Sequence, residues 1–480
     1  MAEESLKVKT SRGLFWGGAS NLVQQVLNAA FGIYLARTLS AGDYGLVGML
    51  AVFSLLALVL QEGGFSSALI NRKGIVHADY NAVFWVSVLV SFAIYAVLFA
   101  AAPLIARYFH QPALVMLSRW VFLGFIFSGF AVVQKAYLTK KMEYRKMAIV
   151  NMAATVISGV TGVVLAWRGF AYWALVIQAL VYSLLSAAGL WVCSDWRPSL
   201  QLNFKPVGEM LRFSAKLIMT SAFAIISNNL ITVLLGRFYS AVKVGYYTQA
   251  SKWNGMGSNV LNAMIGGVSQ PVLSNVGDDG KRRLRVFRKM MRFTAFISFP
   301  AMLGLAFIAP EFITCVLGDK WAESIPLLTI LCIGAAFTPL SAHYSGLVLS
   351  LGRSDRYMLS NILQSTLLLI AVFVCYPYGV EAMVIAISAL NGMWVLVWWM
   401  LMRRDLGYSL RALLADILPY LGITLVSIAA GWLATKGITV MAWTLVAKIA
   451  VTAAVYVLLL VVTGSVAFKE SINFLLRREN

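Results

Sequence analysis

The sequence predicts an all-α polytopic membrane protein with about 14 transmembrane helices. Three observations carry this. Of 480 residues, 60% are hydrophobic. Only 12% are charged, about half the share of a soluble globular domain. Apolar runs long enough to span a bilayer, about 20 residues each, recur from one end to the other. Fourteen such helices need about 280 apolar positions, which is nearly all the chain holds, so no soluble domain fits beside them. The runs lack the alternation of barrel strands. Helix is then the remaining way to satisfy backbone polar groups in lipid.

The segments fall near 13–36, 44–68, 81–106, 114–134, 147–166, 170–192, 213–236, 244–274, 293–309, 325–351, 357–377, 380–402, 415–434 and 441–464. The first is too long for the core of a cleavable signal, and no small-residue cleavage site follows it. Placing the N-terminus inside puts most basic residues on the same side. These are Lys7, Lys9 and Arg12, then Arg72 and Lys73, the stretch Lys135 to Lys146, and Arg197, Lys205 and Arg212. Lys281 to Arg292, Arg353, Arg356, Arg403, Arg404, Arg411 and the tail follow. That asymmetry is the positive-inside pattern, and an even number of crossings puts the C-terminus inside too. It also accounts for the net charge of +20 without nucleic acid. The run Lys281–Lys289 reads as a basic amphipathic segment ahead of the ninth span, lying on the anionic inner leaflet. The longest outer loop is expected at about Ala309 to Ser324.

The chain repeats itself. Leu35, Arg37, Ser40, Ala41 and Gly45 recur 200 residues on as Leu235, Arg237, Ser240, Ala241 and Gly245, and Arg12 and Asn28 recur as Arg212 and Asn228. Both copies lie on the first helix of a six-helix block and the turn after it, so the repeat is parallel, with its axis along the membrane normal. Two such halves rocking about a site are a recurring transporter plan. The expected organisation is an N-terminal six-helix lobe, 1–205, a second lobe, 206–408, and two additional helices with a cytoplasmic tail, 409–480.

Polar side chains mark particular faces. On the first segment Asn21, Gln24, Gln25 and Asn28 stand at helical spacing, forming one stripe. The second carries Ser54, Gln61 and Glu62. The seventh carries Thr220, Ser221, Ser227, Asn228 and Thr232 on roughly one face. The eighth carries Ser251, Asn254, Ser258 and Asn262, with Lys252 and Asn259 at the edge. Such groups either fasten helices together or line a hydrated cavity between the halves. Concentration on the first two helices of each half favours the cavity. Ionisable residues inside spans are rare and default to functional roles. Lys252, Lys216 and Arg119 are therefore expected to supply positive potential to a substrate, beside the amides Asn21, Gln24, Gln25, Asn28, Asn228, Asn229 and Asn259. Glu62, too short to reach the interface, is the expected ion-coupling residue, with H+ or Na+ as the coupling ion. Cys193, Cys315, Cys332 and Cys375 show no C-x-x-C spacing, so neither disulfide framework nor zinc site is implied. No ATP-binding P-loop, H-E-x-x-H or G-x-S-x-G occurs. The short outer loops offer an exported substrate no platform, so transport fits better than catalysis.

Four stretches resemble the polysaccharide flippases of the multidrug/oligosaccharidyl-lipid/polysaccharide superfamily, in particular the lipopolysaccharide and colanic-acid exporter branch. They are Tyr34-Leu35-Ala36-Arg37 through Asp43-Tyr44-Gly45-Leu46, then Gly64 through Lys73, then Gln134-Lys135 through Lys141-Met142-Glu143-Tyr144. The most specific is Gly318-Asp319-Lys320-Trp321 with Ile325-Pro326-Leu327-Leu328. One departure is at Gln249-Ala250-Ser251, where relatives carry Arg-Ala-Tyr. The resemblance runs over at least residues 10–405. It implies two lobes of six helices, often with two more. It also implies translocation of undecaprenyl-diphosphate-linked oligosaccharide across the bacterial inner membrane for exopolysaccharide, capsule or O-antigen. The alternatives are a cation-coupled drug exporter of the same superfamily, a lipid II flippase, a glycan polymerase or ligase, and a scaffold. The expected partners are the lipid-linked oligosaccharide, membrane lipids, a polysaccharide polymerase and glycosyltransferases, with no nucleic acid; the chain is expected to work as a monomer.

Overall fold

The computed structural model describes residues 6–62, 69–70, 74–200, 205–275, 279–465 and 468–470; the side chains of Glu62 and Lys216, and the stretch Gly64 to Lys73 apart from Leu69 and Ile70, lie outside the description. The helices are α1 (Leu6–Thr38), α2 (Ala41–Glu62), α3 (His77–Phe109), α4 (Leu114–Lys140), α5 (Tyr144–Trp167), α6 (Trp173–Cys193), α7 (Lys205–Phe238) and α8 (Ala241–Asn275). Then follow α9 (Gly280–Phe312), α10 (Ser324–Ala335), α11 (Thr338–Ser350), α12 (Ser354–Cys375), α13 (Val380–Leu406), α14 (Leu410–Thr435) and α15 (Met441–Val462). Among the described residues twelve spans are long and apolar enough to cross a membrane, one of them α10 and α11 together. α1 and α8, of 33 and 35 residues, reach about 50 Å at 1.5 Å per residue. They are long enough to cross, and lose apolarity to the same amides that stood out in the sequence.

The chain forms two compact units, 1–245 and 246–480. In the first, α3 packs on α4, α5 on α6, α4 on α6, and α1 on α5; α7 lies against α2 and α3. In the second, α9 packs on α10, α12 on α13, and α10 and α11 on α13. The pairings α3–α4, α5–α6 and α4–α6 thus recur as α9–α10, α12–α13 and α10 and α11 on α13. α14 and α15 pair with each other and lie against α9.

The repeated turn shows its physical purpose. Ser40 caps α2: its Oγ accepts the Asp43 N–H (3.2 Å) while Asp43 Oδ2 accepts the Ser40 N–H (2.9 Å), a reciprocal capping box. Asp43 Oδ1 also accepts the Tyr172 N–H (3.1 Å), tying the turn to the start of α6. In the second copy Ser240 Oγ accepts the Lys243 N–H (3.3 Å), but lysine cannot return the bond. The glycines explain themselves by proximity. A Cβ added at Gly45 would fall on the Ala241 carbonyl, and one added at Gly245 would fall on the Ala41 carbonyl. The first turns of α2 and α8 therefore touch backbone to backbone, reciprocally, through equivalent residues of the repeat.

Two expectations for the ninth span need correction. The basic run Lys281–Lys289 is not a separate surface segment: α9 runs unbroken from Gly280 to Phe312, started by Asp279, whose Oδ1 accepts the N–H groups of Lys281 and Arg282. Its basic residues find partners on the following helices. Arg288 makes a two-pronged ion pair with buried Asp416 of α14 (Nε–Oδ2 2.6 Å, Nη2–Oδ1 3.0 Å), and Tyr408 OH donates to the same carboxylate at 2.8 Å. Nor is Ala309–Ser324 an open loop. α9 continues into a π-helical turn, Ile313–Leu317, then Gly318 at φ 101° and a 3-10 turn at Asp319–Trp321. Trp321 is fully buried, edge-on to Tyr246, and Ser324 Oγ donates to the Tyr246 carbonyl (3.0 Å). The Gly-Asp-Lys-Trp motif is a plug over the start of α8. Between α10 and α11 the helix breaks ahead of Pro339, and Ser298 Oγ donates to the Ala336 carbonyl (2.7 Å). A hydroxyl thus satisfies a backbone group at a helix break, as a membrane interior requires.

Candidate functional site

The polar stripes have two fates. On α2, Gln61 is completely buried: its Nε2 donates to Ser91 Oγ (2.8 Å) and the Phe125 carbonyl (2.7 Å), and its Oε1 accepts from Ser128 Oγ (3.0 Å). This amide fastens α2, α3 and α4, so on α2 the adhesive reading holds and the cavity-lining one fails. On α1 the amides make no such bridge between helices among the described residues. Asn21 and Asn28 are exposed, and Gln24 and Gln25 half-buried, with Gln24 Nε2 donating to Ser20 Oγ one turn back (3.0 Å). On α7, Asn228 is exposed, while half-buried Asn229 turns its Nδ2 to the Ile225 carbonyl of its own helix (2.9 Å). α1 and α7 both belong to the first unit.

α8 is the most telling element. Asn259 is exposed, and half-buried Lys252 carries its Nζ 5.8 Å from the Trp253 ring centroid. Over the next turns, buried polar atoms of Gln249, Trp253, Asn254 and Ser258 have no hydrogen-bond partner. Leaving such a group unmatched costs about 1–3 kcal/mol, so four side chains of this kind on one helix are a large sum for a purely structural element. Their donors and acceptors, together with one cation, are the inventory that sugar hydroxyls and a phosphate would satisfy. The sequence singled out Asn254 and Ser258, and noted Gln249 only as a departure from the family pattern. Trp253 gave no signal, being one apolar residue among many.

The remaining candidates scatter. Arg119 of α4 stacks its guanidinium on Phe99 of α3 (4.2 Å), with its Nε buried and unpartnered. The side chains of Glu62 and Lys216 are outside the described residues.

One intramembrane ion pair escaped the sequence reading. Lys448 of α15 meets Glu311 near the end of α9 (2.7 Å); both side chains are nearly buried, and the ammonium lies 4.3 Å over Phe307. Lys448 also lines a cavity of about 460 Å³ between the two helices, together with Gly304, Phe307, Thr452 and Tyr456. Glu311 was hidden because it fell in a supposed loop. Breaking a buried pair leaves an uncompensated charge at a cost of about 3–5 kcal/mol, whereas removing both charges is nearly neutral. Lys448→Met should thus lower the melting temperature in detergent, and adding Glu311→Leu should restore most of it. Equal melting of the single and double variants would show that the charges are not coupled.

Comparison with known proteins follows the same lines. A family model described as "Polysaccharide biosynthesis protein" matches residues 34–326, more than half of the chain. The chain is similar to "Lipopolysaccharide biosynthesis protein WzxC" of Escherichia coli (strain K12), 25% identical over 427 residues covering 87% of this chain and 86% of the relative. It is also similar to "Succinoglycan biosynthesis transport protein ExoT" of Rhizobium meliloti (strain 1021), 26% identical over 309 residues, 64% of this chain and 62% of the relative. Among solved structures, the lipid II flippase MurJ in an inward closed conformation superposes with a TM-score of 0.77 at 16% identity, covering 96% of this chain and all of that one. An inward-facing multidrug resistance MATE transporter superposes with a TM-score of 0.62 at 16% identity, covering 80% and 94%. At such identity these likenesses establish the fold.

Proposed function

Since the chain belongs to the polysaccharide biosynthesis protein family, we propose that it is a flippase carrying an oligosaccharide on undecaprenyl diphosphate across the bacterial inner membrane, by alternating access. The family match carries the reading; the unpartnered polar atoms of α8 support it physically. A diphosphate-linked glycan has a charged linkage, a polar head and a long apolar tail, and moving its head through lipid unaided would be prohibitive. Amides along α1, α7 and α8 (Asn21, Gln24, Gln25, Asn28, Asn228, Asn229, Asn259) serve the sugar. Lys252 serves the diphosphate, with Lys216 and Arg119 adding positive potential. The tail stays in the bilayer. A cation against a low-dielectric wall attracts phosphate far more than one in bulk water. The lobes 1–205 and 206–408 act as the moving halves and 409–480 as an accessory pair, with both termini cytoplasmic. Glu62 is the proposed ion-coupling residue, H+ or Na+ supplying the drive. The chain acts as a monomer rather than an enzyme, handing its cargo from glycosyltransferases inside to a polymerase outside.

Deleting the protein should leave one glycan repeat accumulated on undecaprenyl diphosphate inside the cell. In the restored strain Lys252→Ala should cut export about tenfold, with Lys252→Arg retaining much of it. Export by the Ala variant at the unaltered level would move phosphate recognition elsewhere. The lipid II flippase and the drug exporter share the fold; the matched family and the relatives WzxC and ExoT favour polysaccharide export.

A further inference from the structure

The second unit holds a buried histidine that glycan recognition does not use. His343 of α11 is 3% exposed, and both ring nitrogens are engaged. Nδ1 lies 2.6 Å from Ser269 Oγ of α8, and Nε2 lies 2.6 Å from Thr294 Oγ1 of α9. Ser269 and Thr294 are themselves buried. Three helices thus meet at one imidazole. We propose that His343 is a proton-binding site that couples proton uptake to the position of the Ser269 end of α8. This rests on the reading of the chain as an ion-driven exporter, and it names the ion as H+, because an imidazole takes a proton and is a poor ligand for sodium.

The chemistry is built for two protonation states. A neutral imidazole donates from one nitrogen and accepts at the other; the charged form donates from both. A hydroxyl can do either by rotating, so Ser269 and Thr294 can satisfy each form without moving a heavy atom. Charge is the asymmetry. Among the described residues, no carboxylate stands in the hydrogen-bond shell of the charged ring. On α9 and α14 the nearest charged set is Arg288, Arg292 and Asp416, with Tyr408 bonded to Asp416, and the Phe287 ring stands between, 6.4 Å from His343 and 6.0 Å from Tyr408. Beside His343 on α11 is Tyr344, whose hydroxyl has no partner; α10 offers only Cys332. At the end of α13, Asp405 is occupied by Arg353 and Arg356. α8 has no ionisable residue between Lys252 and Asp278. A buried cation without a counter-ion is costly, so protonation favours the arrangement in which water reaches the ring. α8 is the element able to let it in, since α9 and α11 are packed against each other and α11 against α13. The same helix carries Asn259 and Lys252, respectively about 15 and 25 Å from Ser269 at 1.5 Å per residue. A proton at His343 therefore moves the helix that holds the glycan contacts.

The test uses the full chain in detergent with its four cysteines replaced, and one cysteine introduced at either of two neighbouring positions. Leu273 is buried one turn beyond Ser269, and Ser274 is exposed. The ratio of maleimide labelling of Leu273→Cys to Ser274→Cys cancels the pH dependence of the thiol itself. Lowering the pH through the imidazole range should raise this ratio roughly fivefold, and His343→Gln should abolish the rise. Thr294→Val keeps the imidazole and removes the partner of Nε2, so the midpoint of the rise should move. A flat ratio in the protein with His343, an equal rise in the Gln variant, or an unmoved midpoint in the Val variant would each overturn the proposal. No glycan enters this assay. A flat ratio leaves the flippase reading standing, and absence of accumulated glycan on deletion sinks that reading alone.

Discussion

Gly45→Ala should cut glycan export at least tenfold while the protein remains inserted and abundant. Alanine is the better helix former by about 1 kcal/mol, so α2 itself gains from the change. The loss comes from contact. The new Cβ would fall on the Ala241 carbonyl, a backbone atom that cannot swing aside as a side chain can. Overpacking of this kind costs about 1–3 kcal/mol, and a tenfold change needs about 1.4 kcal/mol. The penalty falls only on the conformation in which α2 and α8 touch, so it biases the transport cycle rather than the fold. Gly245→Ala should behave alike, because its Cβ meets the Ala41 carbonyl. Gly42 is the control: a Cβ there meets only Ser40 Oγ at 3.7 Å and Val242 Cγ2 at 3.9 Å, which is ordinary contact, and Gly42→Ala should export normally. The measurement is surface glycan per unit of membrane-inserted protein. Normal export by the Gly45 variant would mean that the two turns need not approach so closely during transport.

Asp416→Ala should be among the most destabilising single changes outside the polar faces. The carboxylate is 2% exposed and serves Arg288, Tyr408 and, at 3.7 Å, Arg292. Its removal strands two cations and a hydroxyl where one anion held α9 and α14 together. The cost of breaking a buried pair is about 3–5 kcal/mol; the arginines are about one-third exposed, so water recovers part and about 3 kcal/mol is the reasonable size. In detergent the melting temperature should fall by about 5 °C or more. Asp416→Asn, which still accepts from Tyr408, should lose less. A variant with Ala that melts like the unaltered protein would show that the arginines are as well served by solvent.

The candidate polar positions stood out in the sequence for one reason: in lipid, a polar side chain is an exception that needs a cause. Asn21, Asn28, Asn228 and Asn259 stood out on that ground, and all four are exposed. The same rule misled at Gln61, because an amide fastening three helices and an amide facing water look alike in one dimension. Only the positions of Ser91, Phe125 and Ser128 tell them apart. Trp253 and His343 were passed over because their meaning lies in what surrounds them. Glu311 was passed over because the ninth segment was ended near 309, whereas α9 runs on through Pro310 to Phe312.

The sequence by itself determined the fold class, the places of most of the spans, and the likeness of the two repeated turns. Those depend on composition and period, which lipid reads residue by residue along each helix. The tertiary structure decided which polar groups are spent on holding helices together, which residues pair across α9, α14 and α15, and why the repeated turn needs glycine. Those outcomes depend on distances between segments far apart in the chain. The 200-residue spacing of Gly45 and Gly245 announced that two places are alike; only the folded chain shows that they lie against each other.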